Sequence, residues 1–260
     1  MLRVQRDAWY SGRLGMIPGG LINSYWKVER AKKHLAELHE ALGAYLNHDT
    51  RPYAATLDQD PHTGAYRLTV EVEEPHAWIF MVAGDVFNCL RSALDHALWR
   101  IASLQAGTPK TKLQFPIIEK DDDRGRRTFE SQTDGLPATV IPVIEKLQPY
   151  NRRIGTPLAG HPLWCLGMMT NIDKHRYIAV HPTVAITEWG VPPTSEIECA
   201  DRRIFVFRWP SSEQPPGLPD ILVEVEFGSE ADGISLPLQD VHEIVKCVNN
   251  VLLMLAPFDR

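Results

Sequence analysis

Asn88-Cys-Leu-Arg-Ser-Ala-Leu-Asp-His96 is the stretch from which the rest of the chain is read. Around it, Val86, Leu90, Ala93, Leu94, Ala97, Leu98 and Ile101 recur at helical spacing and form a wide apolar face. This periodicity predicts a long helix over 76–106, stopped by Gly107-Thr-Pro109. On the other side Asp85, Asn88, Arg91, Ser92, Asp95 and His96 share a stripe about 140° wide. A solvated stripe collects Lys and Glu, which are good helix formers, and this one has neither. Short polar groups cost local helix stability. They make sense where they are partly buried and bonded to one another or to a ligand. Arg91 and Asp95, at i and i+4, are placed to pair.

Working outward, Ala31, Leu35, Leu38, Leu42 and Leu46 predict a first helix over 24–48, with Ser24 as its cap. Residues 1–23 are expected to be a loose arm, since Gly12, Gly15, Pro18, Gly19 and Gly20 break any period, and Met16 is an alternative start. Asp60-Pro-His-Thr-Gly64 is turn chemistry, and Tyr66 to Glu73 alternates apolar and polar residues as a half-exposed strand does. A loop is expected from Lys110 to about Arg127, holding Gln114-Phe-Pro-Ile117 and an acidic run at Asp121 to Asp123. Short helices follow near Arg127–Thr133 and Pro137–Leu147. A third major helix over 160–178 starts at His161-Pro162, where early Pro suits a helix start. Ile204-Phe-Val-Phe-Arg208 and Ile221 to Phe227 are the clearest strands of a block over 179–236, divided by turns at Pro192-Pro193 and Pro215-Pro216. A last helix covers 237–256. The expected fold is mostly helical α+β: a four-helix bundle core with an inserted antiparallel β-sheet, 53–74 and 179–236, in a single domain over 24–260.

With 44% hydrophobic and 23% charged residues in 260, the composition is that of a globular protein able to bury its own core. A net charge of -6 and a pI near 5.9 argue against a broad basic face, so no extended duplex DNA is expected as partner. Local cationic clusters remain at Arg124, Arg126 and Arg127, at Arg152-Arg153 and at Arg202-Arg203. The expectation for each is a solvated loop or turn. Cys89, Cys165, Cys199 and Cys247 form no C-x-x-C pair, which points to reduced thiols and a cytoplasmic setting. No apolar run approaches the ~20 residues of a membrane span, so no membrane partner is expected. His34 and His39 are expected to be solvated, and Trp78, Trp99 and Trp164 to be core or packing residues.

A second polar segment, Asn171-Ile-Asp-Lys-His-Arg176, ends the third major helix. Asn171, Lys174 and His175 stand at i, i+3 and i+4 and share a face, while Asp173 and Arg176 point elsewhere. Were this helix to pack antiparallel to the second, Asn88, Arg91, Asp95, His96, Asn171, Lys174 and His175 would form one cluster.

Arg91-Ser-Ala-Leu-Asp-His96 resembles the R-x4-H motif of the HEPN superfamily. The resemblance implies a small helical bundle, often a homodimer, of a kind that includes metal-independent ribonucleases of toxin–antitoxin, abortive-infection and related defence systems. It also implies roles. Arg91 would stabilise charge on an RNA phosphodiester, and His96 would take or give the proton of the 2′-hydroxyl or leaving oxygen. The chain also resembles an uncharacterised bacterial family carrying Leu90 to His96, Gln114 to Ile117, Leu147-Gln-Pro-Tyr150 and Asn171 to Arg176, which implies no particular activity.

The expectation is therefore a ribonuclease with Arg91 and His96 as catalytic pair, needing no cofactor and no metal, with RNA or a nucleotide as partner. The supporting shell is Asn88, Asp95, Asn171, Lys174 and His175. One alternative is a non-catalytic site for a nucleotide or other phosphate-bearing ligand, held by Arg91, Lys174 and Arg176. Another is a purely structural polar network. A metal site from Asp95, His96, Asp173 and His175 lacks both H-x-x-x-H and H-E-x-x-H spacing.

Overall fold

The computed structural model describes residues 20–46, 51–106, 112–153, 155–176, 178–187, 204–209, 218, 220–229 and 233–259. The expected arm up to residue 19, Cys199, Arg202-Arg203 and the proline pairs lie outside these. In chain order the elements are α1 (Ile22–Leu46), β1 (Tyr53–Gln59), β2 (Tyr66–Val72), α2 (Ala77–Ala106), α3 (Asp123–Thr133), α4 (Ile141–Lys146), α5 (Pro162–His175), β3 (Ala179–Thr187), β4 (Ile204–Trp209), β5 (Asp220–Ser229), β6 (Ile234–Pro237) and α6 (Leu238–Leu255). The protein is mostly helical α+β, as the periodicities predict.

Internal contacts fall into two compact units. One comprises Met1–Lys32, Phe87–Gly167 and Glu243–Arg260, the other Lys33–Val86 and Met168–His242. The boundaries lie within α1, α2, α5 and α6 rather than in linkers.

The second unit holds the sheets. The sequence leads one to expect a single insert, and the strands instead form two three-stranded antiparallel sheets, ordered β1-β2-β4 and β3-β5-β6. Alternation explains why. β2 buries Leu68, Val70 and Val72 on one face. With Phe205 and Phe207 of β4 they meet Val223, Ile221, Val184 and Ile186 of the second sheet, so two half-apolar sheets cover each other. The β1–β2 hairpin closes as its turn residues require. The Asp60 carboxylate accepts the backbone N–H groups of His62 (2.8 Å) and Thr63 (3.1 Å), which holds its pKa below the usual range. Gly64 takes a φ of 69°, a conformation that glycine adopts without strain.

In the first unit, Ala93, Leu94, Ala97, Leu98 and Ile101 of α2 are wholly buried, as are Val248, Leu252 and Leu255 of α6. By length and composition Ala77–Leu104 and Leu238–Phe258 would each suffice to cross a membrane, more than the sequence reading allowed. Each buries one apolar face within the fold, which accounts for that composition.

Three local expectations are corrected. Leu21 is fully buried and α1 begins at Ile22, so the loose arm cannot extend to residue 23, and Ser24 sits inside the first turn, buried, instead of capping it. The loop expected to reach Arg127 ends at Asp122. Its carboxylate caps α3 by accepting the Gly125 N–H at 2.7 Å, so the acidic run is a helix start. Trp78 and Trp99 are 53% and 56% exposed, since they lie off the apolar stripe of α2.

Candidate functional site

Arg91 and Asp95 do pair, at 3.2 Å, with side chains 14% and 32% exposed. Their main partner, however, is a backbone. Arg91 donates to the carbonyl of Phe115 at 2.7 Å, and the Phe115 N–H donates to Asp95 Oδ1 at 2.8 Å. One ion pair thus satisfies both polar groups of a residue whose ring is fully buried. Buried backbone groups outside regular structure need such partners. The segment after Phe115 is secured in the same manner. Ile118 N–H donates to the Gln148 side chain at 2.9 Å, Gln148 donates to the Ile144 carbonyl at 2.9 Å, and Tyr150 N–H donates to the Ile118 carbonyl at 3.2 Å. Gln148 is only 1% exposed. The segment is therefore locked at two points, Phe115 by Arg91 and Asp95 of α2 and Ile118 by Gln148 and Tyr150.

His96, Asn171, Lys174 and His175 form no bond to this clamp among the described residues. Asn88 is half-buried one turn before Arg91. His96 is exposed, and its ring makes no hydrogen bond or ion pair among the described residues. Asn171, Lys174 and His175 are exposed at the end of α5, in the other unit, and likewise make none. Lys174 and His175 there complement the helix dipole. The residue of this segment that reaches α2 is Asp173, expected to point elsewhere. Its carboxylate lies against Gly84, where any Cβ would collide with it. Among the described residues no group of three or more His, Cys, Asp or Glu is placed to hold a metal.

Two histidines expected to be solvated have partners. His34 Nδ1 lies 3.1 Å from Glu37. His39 donates through Nδ1 to the Leu35 carbonyl at 2.7 Å, which leaves its Nε2 to accept from His242 Nε2 at 3.2 Å when both rings are neutral.

Beside the backbone lock is a feature read from sequence as solvated charge. Lys112, Leu113 and Gln114 form one wall of a concavity of about 420 Å³, and Arg124, Arg127, Thr128, Ser131 and Gln132 of α3 form the other. The Gln114 N–H donates to the Gln132 carbonyl at 3.2 Å and joins the walls. The five α3 residues share a stripe about 140° wide, while Gly125, Phe129 and Thr133 turn toward the protein; a Cβ at Gly125 would strike the Lys120 carbonyl. Lys112, Arg124 and Arg127 have no ion pair among the described residues, and no carboxylate lines the concavity. Arg126, one residue away, is paired with Asp121 at 2.8 Å, and this pairing holds the Asp121 carboxyl below its usual range. The spacing of Arg124, Arg127, Thr128 and Ser131 was the available signal. Reading the acidic run as loop concealed it.

No family model matches this chain, and neither a curated protein nor a solved structure does.

Proposed function

We propose that this protein binds a phosphate-bearing ligand, a nucleotide or RNA, in the concavity between residues 112–114 and α3. The observation that carries this reading is the local charge. In a chain with 33 acidic and 27 basic residues, three cations face one concavity with no carboxylate among the described residues to neutralise them. Guanidinium groups match phosphate oxygens in pairs, and Lys adds a point charge. Gln114 and Ser131 offer uncharged donors.

The metal-independent ribonuclease remains a second reading, favoured by His96, whose exposed ring makes no bond among the described residues. Arg91 supports it less, because its guanidinium already holds Phe115 and Asp95.

One experiment tests both. Binding of a labelled RNA pool and of labelled ATP is measured in EDTA for wild type, Arg124→Glu/Arg127→Glu and His96→Ala, and the RNA is then examined for cleavage. Loss of binding by about tenfold or more in the double variant alone supports the concavity. Binding unchanged by that charge reversal overturns it. Cleavage by wild type but not by His96→Ala, leaving 2′,3′-cyclic phosphate ends, establishes the ribonuclease.

A further inference from the structure

Resting on that reading, we infer that the concavity takes a linear chain of phosphates, the di- or triphosphate end of its ligand, and leaves the base unread. The placement of the cations is the first reason. Arg124 and Arg127 stand three residues apart on α3, about 4.5 Å along the helix axis, and Ser131 carries the row of donors on to about 10 Å. The whole row is longer than one phosphate group spans. Lys112 meets this row from the facing wall. Two charges and a neutral donor in a row, opposed by a third charge, suit an extended polyanion better than a single orthophosphate, which one guanidinium satisfies bidentately.

The nature of the other lining groups is the second reason. Bases are held by stacking on aromatic rings. The lining residues include no aromatic side chain, and Leu113 is the one apolar residue among them. The sequence just before them, Gly107 to Thr111, has no aromatic residue either. The hydroxyl proton of Thr128 is spent on the Arg124 carbonyl at 2.9 Å, so Ser131 and the Gln114 and Gln132 amides are the neutral donors. Such groups bind phosphate oxygens regardless of what the phosphate is attached to.

The lock explains why the site is held ready. Gln114 immediately precedes Phe115, whose two backbone groups are fixed by Arg91 and Asp95. Arg91 and Asp95 are thereby positioning residues for the wall that carries Lys112 and Gln114.

The test is calorimetric titration of the full chain, in EDTA, with tripolyphosphate, ATP, GTP, UTP, AMP and adenosine. A short oligoribonucleotide is added with either a 5′-triphosphate or a 5′-hydroxyl. Tripolyphosphate and the three nucleoside triphosphates are expected to bind within about threefold of one another, and about tenfold or more tighter than AMP. Adenosine is expected not to bind. The 5′-triphosphate oligonucleotide should bind at least as well as ATP if RNA ends are the source, and worse if free nucleotides are; either fits. A preference of about tenfold for one base overturns the inference while leaving phosphate binding intact. So does equal binding of ATP and AMP, or of the two oligonucleotides. Absence of any binding overturns the inference and the proposed function together.

Discussion

Two sets of arginines in the first unit behave oppositely, and the contrast separates structure from function. Arg91 is nearly buried, paired with Asp95 and spent on a backbone carbonyl. Arg124 and Arg127 are exposed on a concave wall, unpaired among the described residues. The motif that resembles a catalytic signature is the one whose charge is already neutralised. The cluster that resembles a solvated helix start is the one whose charge is still available. Electrostatic work on a ligand requires charge that the fold has not cancelled.

The largest effect that would break this comparison is at the clamp. Asp95→Ala leaves the Phe115 N–H without its acceptor and Arg91 without its counter-ion. Losing hydrogen bonds of this kind costs about 2–3 kcal/mol, and urea unfolding followed by circular dichroism should register that loss. His96→Ala, one residue on, should stay within about 0.5 kcal/mol of wild type, because its exposed ring has no bond among the described residues. Were Asp95→Ala instead to leave stability unchanged, the pair would not be structural and the catalytic reading of Arg91 would regain ground.

The sequence makes the helices legible because a 3.6-residue apolar period is a local signal, and it shows the hairpin through the chemistry of Asp60 and Gly64. It does not show the clamp. Arg91 and Asp95 bond to backbone atoms twenty and more residues away, and a backbone partner leaves no trace in the side-chain pattern. The two sheets were unresolved for a related reason. Alternation tells which face of β2 is buried, but not whether β5 covers that face or extends the same sheet. Arg124 and Arg127 were visible as residues and invisible as a site, since their meaning depends on Lys112 lying opposite. His39 and His242 meet across more than two hundred positions, beyond any local reading.

A second effect sharpens the comparison from the side of α3. Gly125→Ala would drive its Cβ into the Lys120 carbonyl and the Ile118 side chain. A backbone oxygen cannot swing aside as a flexible side chain does, so the N-terminal turn of α3 must shift. The cost is about 1–3 kcal/mol, seen as a lower melting temperature. Affinity for tripolyphosphate should fall as well, since Arg124 and Arg127 ride on that turn. Asp95→Ala, assayed under conditions where it remains folded, should weaken binding less than Arg124→Glu/Arg127→Glu does.

The smallest effect concerns pH and isolates one half-enclosed imidazole, His161. His161 precedes α5 and is half-buried, and its Nδ1 is enclosed without a hydrogen-bond partner among the described residues. Burial, aided by the nearby Arg152 guanidinium, pushes its pKa below the ordinary value. The sign follows from proton counting. Below about pH 6.5 the unfolded chain protonates this imidazole while the folded chain resists, so the unfolded state binds more protons and stability falls with pH. Urea midpoints at pH 7.5 and 5.5, compared between wild type and His161→Asn, separate this contribution from those of the carboxylates, which both proteins share. The wild type should lose more stability over that interval than the variant. Equal losses would mean that His161 accepts its proton in the folded state, and that its enclosed nitrogen finds an acceptor once charged.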